Sequence, residues 1–537
     1  MQNTIDQLDF SRTQRLALLS LVVLGSAIRA LGLHRAIYLD EAWVIDSAQR
    51  PMLRDMLFYP DWAQTTPPGI LLLLRGMTSF VGITPEHYRY LPFIASVLTL
   101  ILGARLTLRC LSPGFALLAT LMLAASPEVQ WYATEIKQYV FDLLAATAML
   151  WWGTDFIRAP ARGSWYRWVA SYCIGASLSL PVWLFLPAMI AVVALISASV
   201  ARPLPLRAGV AGITVAVVTT AALYFGILRP NADLPSLRTF WNDGFLQTAG
   251  YSLAYFFRMA LTEIFGFLPV ASAAPLRTAL VVALCGIGLG HRCYQQRAQP
   301  TRASAYLLLL LGPIVTLFAA NAVEKYPLSD FRVVSFLVTT CIVMVVLGLE
   351  GMVIFGGRAL RRNLSPQHIF ICGIALTLAS AIAYSNKKIH TSCALYPWQD
   401  HHDMRSVMHF LHAVDDLRRP LYVDATLRQM YAVYAPEFPL QTRKIDGDVG
   451  WPCCIPGHAW QLPQYKPDEV AHEVAELVQT VGSREFFLVL FAGSEKQNAP
   501  TLFQAELANR NCATPLRINT AGVALLKAVC HEPQVSR

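Results

Sequence analysis

The chain has 537 residues, 55% of them hydrophobic and only 14% charged, with a mean hydropathy of +0.44 and a formal net charge of +9. That much apolar surface excludes a soluble globular protein and fits a polytopic membrane protein. The basic residues fall in short clusters between apolar runs, with no basic stripe interleaved with aromatics, so membrane topology rather than nucleic acid accounts for the charge.

In chain order, the run Leu16 to Leu33 is read as an uncleaved first helix, because Arg29 interrupts the signal-peptide cleavage pattern near Ser26 and Ala27. Apolar windows predict spans at 14–33, 87–108, 112–126, 138–157, 165–181, 183–200, 207–228, 275–292, 303–321, 331–353 and 366–384, about eleven in all. Alternate loops should then carry the Lys and Arg. With the N-terminus inside, the inner segments collect Arg12, Arg15, Arg105, Arg109, Arg158, Arg162, Arg167, Arg202, Arg207, Arg292, Arg297, Arg302, Arg358, Arg361 and Arg362. Asp40, Glu41, Glu135, Lys325 and Arg332 fall on the outer side, with everything after Tyr384.

The first outer loop, 34–86, is long. It opens with YLDEAWVIDSA at Tyr38 to Ala48, which puts two adjacent carboxylates at the membrane boundary, where an uncompensated charge is expensive. Further on, Pro67, Pro68 and Gly69 form a sharp turn. The apolar run Ile70 to Val81 that follows is short and interrupted by Arg75, so it is expected to lie in the interface or re-enter. A second outer segment, Arg229 to Pro269, carries Trp241 and the aromatic stretch Tyr251 to Phe257. It reads as an interfacial aromatic belt or as a platform for sugar rings or a prenyl chain.

From Asn386 charges, His and Pro rise and no run is long enough to span. Helices near 403–418, 426–434, 468–481 and 501–510 alternate with strands at 421–424, 486–491, 516–518 and 523–528, which predicts a small outer α/β domain at 385–537. The membrane module is 1–384. Cys512 and Cys530 flank the last two strands and are the expected disulfide, since an outer compartment permits one. Cys453 and Cys454 lack the spacing of a zinc site, and His401 and His402 read as surface residues.

Three outer loops bring polar groups to the membrane. The first has Asp40 and Glu41, the second reads EVQWYATEIKQY with Glu135, Lys137 and Tyr139, and the third reads EKYPLSDFR with Lys325, Asp330 and Arg332. Plainer readings exist for each: helix-capping carboxylates, a solvated Glu135 and Lys137 pair, and snorkelling interface anchors. If the loops converge, however, Arg332 can hold phosphate oxygens in a fork, Lys325 or Lys137 can add a point charge, and a carboxylate can accept a hydroxyl proton.

A DE pair after the first helix, a PP element in the same loop, SPEVQWYATEIKQY at Ser126 to Tyr139 and KYPLSDFR at Lys325 to Arg332 together resemble the GT-C superfamily of glycosyltransferases. The resemblance is nearest to the branch of protein O-mannosyltransferases and the lipid A aminoarabinose transferase, and covers about 14–384 in layout. It implies a GT-C fold in a bacterial inner membrane, with the site and C-terminal domain on the periplasmic side. It also implies inverting transfer of a hexose or pentose from a polyprenyl-phosphate donor to a glycan, lipid or protein acceptor. On it, Asp40 matches the acidic base, Glu41 its partner, and Glu135 a further catalytic carboxylate. Lys137 and Tyr139 match, with Glu135, the second-loop motif and Arg332 the basic residue that precedes a late span; with Lys325 they are the residues expected to bind the donor phosphate. The first-loop element commonly reads HPP, whereas Thr66 stands before Pro67 here. No cofactor is required on this reading; a divalent metal is conceivable beside the carboxylates but Arg and Lys can replace it. The alternatives are a flippase of lipid-linked sugars, which predicts ionisable groups mid-span and repeat symmetry, and an assembly protein that presents the outer domain.

Overall fold

The computed structural model describes residues 11–359 apart from 60–64, 82–83, 200–203, 233–240, 248–251, 266–274 and 329, and from the remainder 403–414, 419, 421–424, 427–435, 467–481, 485–492, 499–520 and 522–531. Helices α1 (Arg12–Ala30), α2 (Leu39–Gln49), α3 (Leu53–Leu57) and α4 (Pro68–Val81) open the chain. Next come α5 (Tyr90–Cys110), α6 (Pro113–Ala125), α7 (Pro127–Tyr132), α8 (Tyr139–Arg158), α9 (Arg162–Leu178), α10 (Leu186–Ser199) and α11 (Leu206–Leu223). The bundle is completed by α12 (Arg229–Ala232), α13 (Leu253–Ile264), α14 (Pro275–Gln295), α15 (Pro300–Ala322), α16 (Phe331–Val334) and α17 (Val338–Ala359).

Each predicted window coincides with one of these helices except 366–384, which lies outside the described residues, as do Cys453, Cys454, His401 and His402. Among the described residues, 7 helices are long and apolar enough to cross a membrane. Leu16, Leu19, Val23 and Leu24 on α1 and Val210, Val215 and Val218 on α11 are exposed, as a lipid-facing surface requires.

Local chemistry starts and stops the elements. Ser11 and Gln14 form a reciprocal capping box at the start of α1. At the other end of α1, Arg29 is fully buried and donates to Ser96 O at 2.8 Å and Leu123 O at 2.9 Å. Leu123 lies in the last turn of α6, where carbonyls lack helical partners and the helix dipole favours a cation. Arg29 thereby ties α1, α5 and α6 together. The centre of the bundle is α8 and the 331–355 span, whose apolar windows are 78% and 89% buried. They are joined by Thr147 Oγ1 and Thr339 Oγ1 at 2.8 Å. Helices α14 and α17 cross at backbone contact: a Cβ on Gly288 would stand 2.3 Å from Met344 O, and one on Gly348 2.1 Å from Leu284 O. Small residues at such a crossing let two helices approach where lipid supplies no hydrophobic drive.

The C-terminal part holds α18 (Met404–Val414), β1 (Leu421–Val423), α19 (Arg428–Tyr434), α20 (Pro467–Val481), β2 (Glu485–Phe491), α21 (Ala499–Asn509), β3 (Cys512–Thr520) and β4 (Val523–Cys530). Its sheet has the order β1-β2-β4-β3, with β1 parallel to β2 and the other pairs antiparallel. Cys512 and Cys530 are register partners on β3 and β4 and form the expected disulfide. One face of the sheet packs under α20 and α21, around Val474, Phe486, Leu488 and Phe503. The other joins a single apolar core with the first-loop helices: Val489 and Leu525 of the sheet, Met408 and Met430 of α18 and α19, and Ile37, Val44 and Ile45 at α2.

Candidate active site

Helix α2 begins at Leu39, so Asp40 and Glu41 both stand in its first turn, where its dipole favours carboxylates. A helix turns about 100° per residue, so these neighbours point in different directions.

Glu41 points inward and is completely buried. Arg89, also completely buried, grips it with two parallel bonds, NH1 to Oε1 at 2.6 Å and NH2 to Oε2 at 2.5 Å. Glu41 also accepts from the backbone N–H of Ile136 at 3.0 Å and of Tyr38 at 3.2 Å. The rest of Arg89 is equally committed: Nε donates to Arg35 O at 3.1 Å, NH1 to Thr134 O at 2.7 Å and NH2 to Ala36 O at 2.7 Å. One ion pair thus fixes the approach to α2, the start of the second long span and the loop between α7 and α8. Arg35 reinforces the junction, with its guanidinium 4.1 Å from the Trp131 ring and bonded to Thr134 Oγ1 at 3.1 Å. Burial, with Arg89 beside it, holds Arg35 down to about 10, so it stays charged at neutral pH. Gly32 is required here, since a Cβ would stand 2.4 Å from Thr134 Oγ1.

Asp40 points the other way, with its side chain 32% exposed. Its Oδ2 lies 4.0 Å from Arg332 NH1, close enough for charge attraction but too long for a hydrogen bond. Arg332 comes from α16, whose N-cap, Asp330, accepts from Arg332 N at 3.0 Å and from Nε at 2.8 Å. The Trp241 ring centroid is 5.4 Å from the guanidinium carbon, which brings one member of the predicted aromatic segment into the site. The third loop and the first therefore do meet.

The second loop supplies Glu135 and Lys137. Glu135 is buried and accepts a hydrogen bond from the Tyr38 hydroxyl, while its Oε2 has no hydrogen-bond partner among the described residues. Burial first, then the Glu41 charge, raises its carboxyl to about 7 against the pull of Tyr38, Arg35 and Lys137. Burial and Glu135 likewise push Tyr38 well up, which keeps its hydroxyl protonated as the donor. Lys137 is lowered by burial and by Arg332, with Asp40 and Glu135 holding the proton on; its Nζ lies 5.9 Å from the Trp43 ring. Tyr139 is buried at the start of α8, edge-on to Tyr132 at 5.1 Å, and Tyr132 stacks on Phe331 at 6.0 Å.

Asp40, Glu135, Lys137, Tyr139 and Arg332 thus form one group. Glu41, expected as the partner of Asp40, points away from this group and is held by Arg89. Lys325 has an exposed side chain on the turn after α15; the cation that senses both Asp40 and Arg332 is Lys137. Among the described residues no group of three His, Cys, Asp or Glu could hold a metal ion. Arg89, Arg35 and Tyr38 were not foreseen.

The buried Glu135 makes the charge of this group of residues pH-dependent. Its carboxyl is raised, so it is largely neutral below about pH 7 and adds a negative charge to the site above it. Glu135→Gln should bind inorganic phosphate, used as an anion probe, as wild type does at pH 5.5 and several-fold more tightly at pH 8.5. Taking the ratio of the two proteins cancels the ligand's own second ionisation. A ratio that stays flat across this range means that Glu135 does not titrate beside the anion.

No family model and no curated protein matches the chain. Solved structures do match its fold. ArnT from Cupriavidus metallidurans, bound to undecaprenyl phosphate, aligns over 96% of this chain and 98% of its own at 14% identity and a TM-score of 0.52. The Archaeoglobus fulgidus oligosaccharyltransferase, in complex with Zn and sulfate, aligns over 94% of this chain and 72% of its own at 11% identity and a TM-score of 0.51. The likeness runs along nearly the whole of this chain, its long first loop, helical bundle and sheet-bearing C-terminal part included, and the chain has the GT-C fold.

Proposed function

We propose that this chain is a multi-pass membrane glycosyltransferase that moves a sugar from a polyprenyl-phosphate donor to a glycan, lipid or protein acceptor at the outer face, with inversion at the anomeric carbon. The observation that carries the proposal is the facing of Asp40 and Arg332, from loops far apart in sequence, across a partly open gap of 4.0 Å. One is a carboxylate able to accept a proton and the other a guanidinium able to hold a phosphate.

In this reading the donor phosphate enters on the terminal nitrogens of Arg332, whose Nε is already committed to Asp330, and releases Asp40 from its ion contact. Lys137 adds a second positive charge, so no metal is needed to offset the leaving phosphate. Asp40 then takes the proton from the acceptor hydroxyl as its oxygen bonds to the anomeric carbon. The bond from that carbon to the phosphate oxygen breaks, and polyprenyl phosphate leaves. Tyr139 and Trp241, both beside Arg332, would flank the bound donor. The prenyl chain lies between apolar helices. Undecaprenyl phosphate in ArnT supports a donor of this class.

The test uses the full chain in lipid nanodiscs, EDTA, envelope extract as acceptor and a panel of radiolabelled undecaprenyl-phosphate monosaccharides, with label transfer as readout. An ammonium cannot reproduce a guanidinium fork, and a hydrogen bond to a charged group is worth about 1.5–3 kcal/mol. Arg332→Lys should therefore raise the donor KM by about tenfold or more. An unchanged KM would remove the Arg332 contact from the mechanism.

A further inference from the structure

We infer that the C-terminal sheet-bearing part is a component of the active site, with Tyr434 and Arg405 acting as positioning residues that hold the backbone immediately before Asp40. The inference rests on the transfer reading for its effect on rate, but not for the contacts.

Residues 35–38 belong to no helix or strand, so their position is set by whichever groups satisfy their backbone. From the membrane bundle, Arg89 holds Arg35 O and Ala36 O, and Glu41 holds Tyr38 N. Local backbone bonds tie Arg35 N to Gly32 O and Tyr38 O to the first turn of α2, and two further contacts come from the C-terminal part. Ile37 N donates to the Tyr434 hydroxyl at 2.8 Å, and Arg405 NH1 donates to His34 O at 2.7 Å. Arg405 NH1 also lies 3.6 Å from Glu86 Oε1, three residues before Arg89. The same strap is thus held from two sides, by residues some 370 to 400 positions away along the chain on one of them.

Apolar packing makes this a stiff connection rather than a touching surface. Ile37 is fully buried, and α2 and α19 share one core through Val44, Ile45, Met430 and Val433. Asp40 follows the strap by two residues. A base displaced by about 1 Å from its productive position costs up to about 10²-fold in rate, so loosening the strap reaches the chemistry although neither Tyr434 nor Arg405 touches a reacting atom.

Tyr434→Phe keeps the ring and its packing and removes only the acceptor for Ile37 N–H; Arg405→Met keeps the stem and removes the donor to His34 O. Each is tested in the full chain in nanodiscs by amide hydrogen exchange over residues 33–44, and by separate measurement of kcat and donor KM. The expected result is exchange over 33–44 faster by about tenfold and kcat lower by about fivefold or more, the scale of one lost hydrogen bond. Donor KM should stay at the wild-type value, because Arg332 and Lys137 are untouched. Protection of β2 and β4 should also stay, showing the sheet intact.

Wild-type exchange and kcat in the double variant would overturn the inference. So would exchange rising equally through β2 and β4, which would mean a general loss of packing. A wild-type chain that transfers no sugar would sink the transfer reading instead, and the exchange comparison, which needs no donor, would still decide whether the two side chains hold the strap.

Discussion

Asp40→Asn is expected to lower sugar transfer by about 10² to 10⁴-fold, the usual worth of general-base catalysis, while leaving undecaprenyl phosphate binding close to wild type. The substitution is nearly isosteric, so helix α2 and its first turn should persist. An amide cannot take the acceptor proton, whereas the proposed phosphate contacts lie on Arg332 and Lys137. Asp40 is the carboxylate whose geometry suits a general base, because it is partly exposed, faces a cation across 4.0 Å and is not sealed by hydrogen bonds. Glu41 is fully buried and gripped by Arg89. If the variant folds, binds lipid phosphate and still turns over at near wild-type rate, Asp40 is not the base, and Glu135 becomes the next candidate.

The second large effect concerns stability. Arg89→Met should destabilise the protein by about 3–5 kcal/mol, because removing one partner leaves the other charge buried and uncompensated. Here the orphan would be Glu41, completely buried, and Arg35 O, Ala36 O and Thr134 O would lose a donor as well. Glu41→Gln should be damaging for the same reason. The double variant Glu41→Gln/Arg89→Met should be less damaging than the sum, since residues in one network do not add. Reversible denaturant titration in detergent measures all three. Additive losses, or a cost for Arg89→Met below about 1 kcal/mol, would show that the pair does not organise the three segments.

What the sequence disclosed was what is local. Apolar length placed the helices, including the break around Pro181, because a run of apolar residues reports its own environment. The β3–β4 hairpin and its disulfide were legible because Cys512 and Cys530 bracket adjacent strands. The convergence of three loops was legible from polar groups placed at matching ends of spans. Arg89 was not, because a cation at the start of a span reads as a topological anchor, and its partner lies 48 residues away with no periodic signal to join them. The preference for Asp40 over Glu41 came from the resemblance, because two adjacent carboxylates carry no local signal that separates them. Adjacent residues on a helix diverge in direction, and which one faces Arg332 depends on Arg89 and on the backbone of Ile136. Thr66, which precedes Pro67 and Pro68, is buried beside the turn that starts α4, a placement set by tertiary packing. The docking of α19 on α2 was beyond reach for the same reason, since its core is shared between segments hundreds of residues apart.

The central claim is that the bond between sugar and lipid phosphate breaks on this protein, and one measurement addresses it directly. The full chain is reconstituted in liposomes with a radiolabelled undecaprenyl-phosphate monosaccharide and envelope extract, and both the fate of the label and the lipid product are followed. A glycosyltransferase releases undecaprenyl phosphate in step with labelled acceptor, and Asp40→Asn abolishes both. Intact donor that crosses the bilayer, with no undecaprenyl phosphate released, would contradict that claim and identify a flippase.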